Sequence, residues 1–79
     1  MNTTTLETKM IKDIAESDYN GRDGGKPQTR GEAYTWTSEV VRTAQDKGVF
    51  TSLLKKGLIA HNGESCELTT EGFKVYQTL

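Results

Sequence analysis

A nucleophilic centre needs a base beside a serine, threonine or cysteine, and this 79-residue chain has one histidine, His61, five residues before its one cysteine, Cys66. His61 falls in a stretch read below as a turn, so the pairing is taken as incidental. A lone cysteine closes no internal disulfide, and one histidine with one cysteine is too small a set of soft ligands for zinc. Gly21, Gly24, Gly25 and Gly31 do not lead a strand into a helix at phosphate-loop spacing, and they lack the lysine-serine or lysine-threonine ending. The carboxylates are scattered over different elements. The expectation is a protein without catalytic residues, cofactor or metal, hence not an enzyme.

The chemistry that remains is recognition of phosphate and base edges. Arg42, Gln45, Lys47, Thr51, Ser52, Lys55, Lys56, His61 and Asn62 crowd into 21 residues. Glutamine suits adenine, and lysine suits guanine or phosphate. Gln45, Lys47, Thr51, Ser52 and Lys55 lie off the apolar face of one expected helix and would reach a major groove. Arg42 and Lys56 would hold the DNA backbone, while His61 and Asn62 at a hairpin tip would touch the minor groove or sugar. Ten basic against eleven acidic residues give a net charge of −1, so no global attraction draws the chain to phosphate. The distribution is uneven: residues 22–56 carry seven basic and four acidic residues, a net of +3, and each flanking segment is −2. Asp46 opposes phosphate within the same surface, and the lysines at the helix end also serve simply to complement the helix dipole.

The elements that must position these residues start with a helix over about 5–17. Thr4 and Glu7 have capping-box spacing, and Leu6, Met10 and Ile14 form a stripe widened by Ile11 and Ala15. NGRDGGKPQTRG, residues 20–31, holds four glycines, the only proline and no large apolar residue. It reads as a flexible connector or a basic arm that orders on a partner. AYTWT (Ala33 to Thr37) reads as a short strand with Trp36 in the core. Residues 38–56 read as two helices, the second starting near Thr43, with Val49, Phe50, Leu53 and Leu54 on its apolar face. Gly48 inside that helix costs about 1 kcal/mol relative to alanine and marks either a close helix contact or a break. Lys55, Lys56 and Gly57 end the helix, Ile59 and Ala60 begin a strand, Asn62-Gly63 make the tight turn, and Cys66 to Leu68 return. Thr69 caps a final helix that packs Phe73, Tyr76 and Leu79. The expected core is Leu6, Met10, Ile14, Trp36, Val49 or Phe50, Leu53, Leu58, Leu68, Phe73 and Tyr76.

Helix, strand, tight turn, strand, helix after an N-terminal helix is the order of an α+β winged helix: three to four short helices, a small antiparallel sheet and a β-hairpin wing. LLKKGLI (Leu53 to Ile59), the hairpin and LTTEG (Leu68 to Gly72) resemble the second half of winged-helix regulators. There a recognition helix ends in a lysine-glycine-leucine turn and the wing returns to a threonine-capped helix. With ESDYN (Glu16 to Asn20), Trp36 and GVFTSLLKKGLI (Gly48 to Ile59), the chain also resembles small winged-helix-like proteins of bacteriophages. It departs from the regulator pattern in its glycine-rich loop and in the few residues between Val40 and Gly57 available for a helix-turn-helix. The resemblance implies a DNA-binding transcriptional regulator contacting double-stranded DNA. The alternative is a phage-encoded protein-interaction module that binds and modulates a host or viral protein, which the acidic balance favours.

Hydrophobic residues at 33% and charged residues at 27% describe one small globular domain over 1–79 with a lean core. A domain this size buries only about 60% of its unfolded surface, and a homodimer or larger partner would add burial. No apolar run approaches the roughly 20 residues of a membrane span, and MNTTTLETK lacks the marks of a secretion signal. The expected location is therefore cytoplasmic, and the resemblance to phage proteins implies a bacterial or phage-infected cell.

Overall fold

The computed structural model describes residues 3–16, 29, 31 and 33–79. Its elements are α1 (Thr5–Ala15), β1 (Tyr34–Trp36), α2 (Thr37–Val40), α3 (Ala44–Lys55), β2 (Ile59–Asn62), β3 (Ser65–Leu68) and α4 (Thr70–Gln77). Among the described residues the class is α+β, with four helices and a three-stranded antiparallel sheet in the order β1-β3-β2. The loop expected over 20–31 lies, apart from Thr29 and Gly31, outside the described residues. None of the described helices is long and apolar enough to cross a membrane.

α1 begins at the expected capping box: the Thr4 hydroxyl accepts from the Glu7 N–H at 3.1 Å, and the Thr4 N–H donates to the Glu7 carboxylate at 2.8 Å. Its buried edge is Glu7, Met10, Ile11, Ile14 and Ala15, the i, i+3, i+4, i+7, i+8 pattern of a 3.6-residue period. Leu6, expected in the core, is 44% exposed. The Leu6–Met10–Ile14 row advances four residues at a time and so drifts around the cylinder; the core takes the end of that row and centres on Ile11 instead.

Two helices do occupy the next segment, a one-turn α2 and a twelve-residue α3. Thr43 caps α3 in a second capping box, its hydroxyl accepting from the Asp46 N–H at 3.1 Å while Asp46 accepts the Thr43 N–H at 3.2 Å and the Arg42 N–H at 3.1 Å. Phe50 and Leu53 are the buried edge of α3. Gly48 touches nothing: a methyl added there meets no atom within 4 Å, so the expectation of a close helix contact or a helix break at this position is corrected. α3 ends in a Schellman motif, with Leu58 N–H donating to Leu53 O and Gly57 N–H to Leu54 O, both at 3.1 Å, and Gly57 at φ 74°. The apolar contact that accompanies such a stop joins Leu53 and Leu58, both fully buried.

The sheet is built on β3. Thr35 pairs with Cys66 and Cys66 with His61, while Leu68 pairs with Ile59. Because faces alternate along a strand, Thr35, Cys66, Leu68 and Ile59 turn to the core, and Tyr34, Trp36, Ser65, Glu67 and Asn62 turn outward. Trp36 is accordingly only half-buried, which corrects its expected place in the core. The hairpin turn is Gly63-Glu64, one residue later than expected, since Asn62 still pairs with Ser65. Gly63 takes φ 62° and Glu64 has no positive φ, the pattern of a type II′ turn.

Candidate nucleic-acid interface

α3 packs against α1 and β2, and this decides which of its side chains are free. On its core side Phe50 and Leu53 pack under the sheet. On the opposite side Lys47, Gly48, Thr51 and Lys55 are exposed along one outward face. The ammonium groups of Lys47 and Lys55 have no ion-pair partner among the described residues. The Thr51 hydroxyl donates back to Lys47 O at 2.9 Å, which leaves its oxygen able to accept. Gln45 is exposed on the flank that looks toward α1, where it lines a shallow recess with Lys9, Asp13 and Arg42. Arg42 forms an ion pair with Glu39 at 3.2 Å, both side chains more than half exposed. Such a pair is worth little and leaves the guanidinium available to a stronger anion.

Ser52 and Lys56 leave the expected site. They are one turn apart on the α3 flank that meets α1, and both reach Glu7: the Ser52 hydroxyl donates to its carboxylate at 2.5 Å and the Lys56 ammonium at 2.6 Å. The Glu7 side chain is 3% exposed and that of Lys56 32%. Burial pushes the Glu7 carboxyl upward, but the hydrogen bonds from Lys56, Ser52 and the Thr4 N–H outweigh it. The result is a carboxylate held at about 2 instead of the ordinary 4.5. A charge in a low-dielectric site demands such partners. Lys56 therefore neutralises the protein's own carboxylate, and Ser52 is spent in the same network. Capping-box spacing at Thr4 and Glu7 was the only sequence signal here; contact across 49 residues leaves none.

His61 and Asn62 are not the tip of the hairpin. Register turns His61 toward α3, where its ring meets Phe50 edge-on at 5.2 Å and Nε2 lies 2.6 Å from Gly63 O. Asn62 is exposed on the outer face beside Ser65. The tip consists of Gly63 and Glu64, so the turn presents a carboxylate where contact with the minor groove or sugar was expected. His61 and Cys66 are cross-strand partners, yet the thiol is buried and burial pushes it up to about 11, so it stays protonated at neutral pH. Asp46, read as an obstacle to phosphate, is turned to the α3 N-terminus by its capping bonds.

The outward face thus brings together Lys47, Thr51 and Lys55, with Gln45 and Arg42 on its margin toward α1. What the arrangement can do is present two cations and small polar groups on a convex helix surface. No protein-family model, curated protein or solved structure matches this chain.

Proposed function

We propose that this chain is a winged-helix DNA-binding protein, a small transcriptional regulator that lays α3 into the major groove of duplex DNA. The observation that carries the reading is the connectivity α1-β1-α2-α3-β2-β3-α4 around a β1-β3-β2 sheet. It leaves one face of α3 outward with Lys47 and Lys55 unneutralised by described neighbours. In winged helices the second helix of the helix-turn-helix is the one that reads the groove. Lys47 and Lys55 contact phosphate or guanine, Thr51 lies between them, Gln45 offers an amide to adenine, and Arg42 exchanges Glu39 for the DNA backbone. Ser52 and Lys56 instead brace α3 against α1, and His61 braces it against the wing.

The test is a titration of fluorescent random-sequence duplex over a salt series. Each phosphate contact lowers log K by about 0.9 per unit of log salt, so replacing Lys47 and Lys55 together by alanine flattens the slope by nearly two units, about 1.8, with the unfolding midpoint unchanged. Absence of binding by the wild type at about 50 mM salt and micromolar protein, where non-specific binders associate, sinks the reading.

A second reading has its own observation. Trp36 stands on the outer face of the sheet and, with Val41, Thr37 and Glu64, lines an open recess beside the wing turn. A half-exposed tryptophan next to a valine is the kind of anchor protein partners use. A wild type that ignores duplex DNA but loses capture of a cellular protein on Trp36→Ala would favour an interaction module.

A further inference from the structure

We infer that Gly48 is the point at which α3 comes closest to the floor of the major groove, an inference that rests on the DNA-binding reading above. Folding alone does not explain a glycine here. Its φ is not positive, no neighbour would meet an added methyl within 4 Å, and the position is exposed in the middle of a twelve-residue helix. Alanine is the better helix former at such a site, because glycine has more backbone entropy to lose. The two other well-placed glycines of this region, Gly57 and Gly63, each have a positive φ that calls for the residue; Gly48 has none.

Position supplies the reason. At 3.6 residues per turn, Gly48 lies opposite the buried edge of Phe50 and Leu53, with Lys47 and Thr51 beside it and Lys55 two turns on. A helix with its side chains is about 10–12 Å across, and the major groove is about 12 Å wide and about 8.5 Å deep. A helix of that diameter just fits the groove, and its axis lies deeper where its leading surface is small. Glycine at the centre lets the backbone descend, while the long stems of Lys47 and Lys55 reach back to the phosphates. A larger side chain at the same place holds α3 away from the floor and draws both ammonium groups off their phosphates together.

Wild type, Gly48→Ala and Gly48→Leu are compared by thermal unfolding and by titration of fluorescent random-sequence duplex across the salt series. Gly48→Ala is expected to unfold about 4–8 °C higher, as a gain in helix propensity does for a domain of this size, and to bind about tenfold more weakly at low salt. Gly48→Leu is expected to fold no less stably than the wild type, to bind more weakly still, and to show a salt slope flatter by about one to two contacts. Wild-type affinity and slope in both variants would overturn the inference and leave the DNA reading standing. A variant less stable than the wild type would overturn it too, since the glycine would then serve the fold. Failure of the wild type to bind any duplex removes the DNA reading, and this inference with it.

Discussion

At the scale of single residues, Glu7 joins two tasks that the sequence reading kept apart. Its carboxylate caps α1 through the Thr4 N–H and also receives Lys56 and Ser52 from α3, so one buried charge ties the first helix to the helix whose outer face is proposed to bind. Because its pKa in the folded protein lies at about 2, below the ordinary 4.5, the ionised form stabilises the fold. That contribution is present in full above about pH 4.5 and is lost as pH falls toward about 2. It is on the order of 3 kcal/mol. Urea titrations between pH 2 and pH 6 should show stability rising with pH in the wild type and a much shallower rise in Glu7→Gln. Lys56→Met should cost about 1–3 kcal/mol at neutral pH, less than a fully buried pair because the ammonium is about one-third exposed, while leaving the salt slope of duplex binding unchanged. A flattened slope in that variant would return Lys56 to the interface.

At the scale of elements, the joint where α3, β2 and α4 meet decides how α3 and the hairpin are presented. Thr69 bonds this joint three times. Its hydroxyl donates to Gly57 O at 2.6 Å and accepts from Gly72 N–H at 3.1 Å, and its own N–H donates to Leu58 O at 3.1 Å. The first turn of α4 presses against the Leu58 carbonyl so closely that a methyl at position 72 would overlap its oxygen. Helix propensity alone would rank Gly72→Ala as stabilising; the overlap with backbone reverses the sign. The expected loss is about 2 kcal/mol or more, toward the upper end for an overpacked site, measured as a drop in the urea midpoint. An unchanged or raised midpoint would mean that α4 can move outward without penalty. Gly48 and Gly72, both glycines inside helices, are thus expected to respond to alanine in opposite directions.

At the scale of the whole molecule, a chain of net charge −1 has to bind phosphate through a local face, not through its overall field. Two of the described cations in the central basic segment are engaged by Glu7 and Glu39, which leaves Lys47 and Lys55 as the described cations of that segment without an ion pair among the described residues. The turn of the β2–β3 hairpin carries a carboxylate, Glu64, which would repel phosphate. If the β2–β3 hairpin approaches the duplex as α3 enters the groove, Glu64→Lys should strengthen binding several-fold at low salt and steepen the log–log slope by up to about one contact. A slope and affinity equal to the wild type would place the hairpin clear of the phosphates. The substitution lies in an exposed turn whose conformation is set by Gly63, so the unfolding free energy should stay within about 0.5 kcal/mol of the wild type.

What the sequence determined by itself is everything governed by neighbours along the chain. The Thr4–Glu7 and Thr69 caps, the glycine stop at Gly57, the division of 38–56 into two helices and the order of helices and strands all depend on contacts a few residues apart, which spacing encodes directly. Tertiary structure decided what depends on parity, angle and distant contact. A one-residue difference in the hairpin turn placed His61 within β2, on the face beside Phe50, and strand alternation turned Trp36 outward. The packing of α1 left Leu6, the first residue of the expected stripe, exposed and buried Ile11 completely. The fate of the basic residues was the least legible: Lys55 and Lys56 are adjacent in sequence and alike in chemistry, but a rotation of one residue about α3 leaves Lys55 in solvent and brings Lys56 to a carboxylate 49 positions away. Local spacing specifies where a helix begins and ends, whereas only the packing of that helix against the rest of the chain determines which of its charges remain free for a partner.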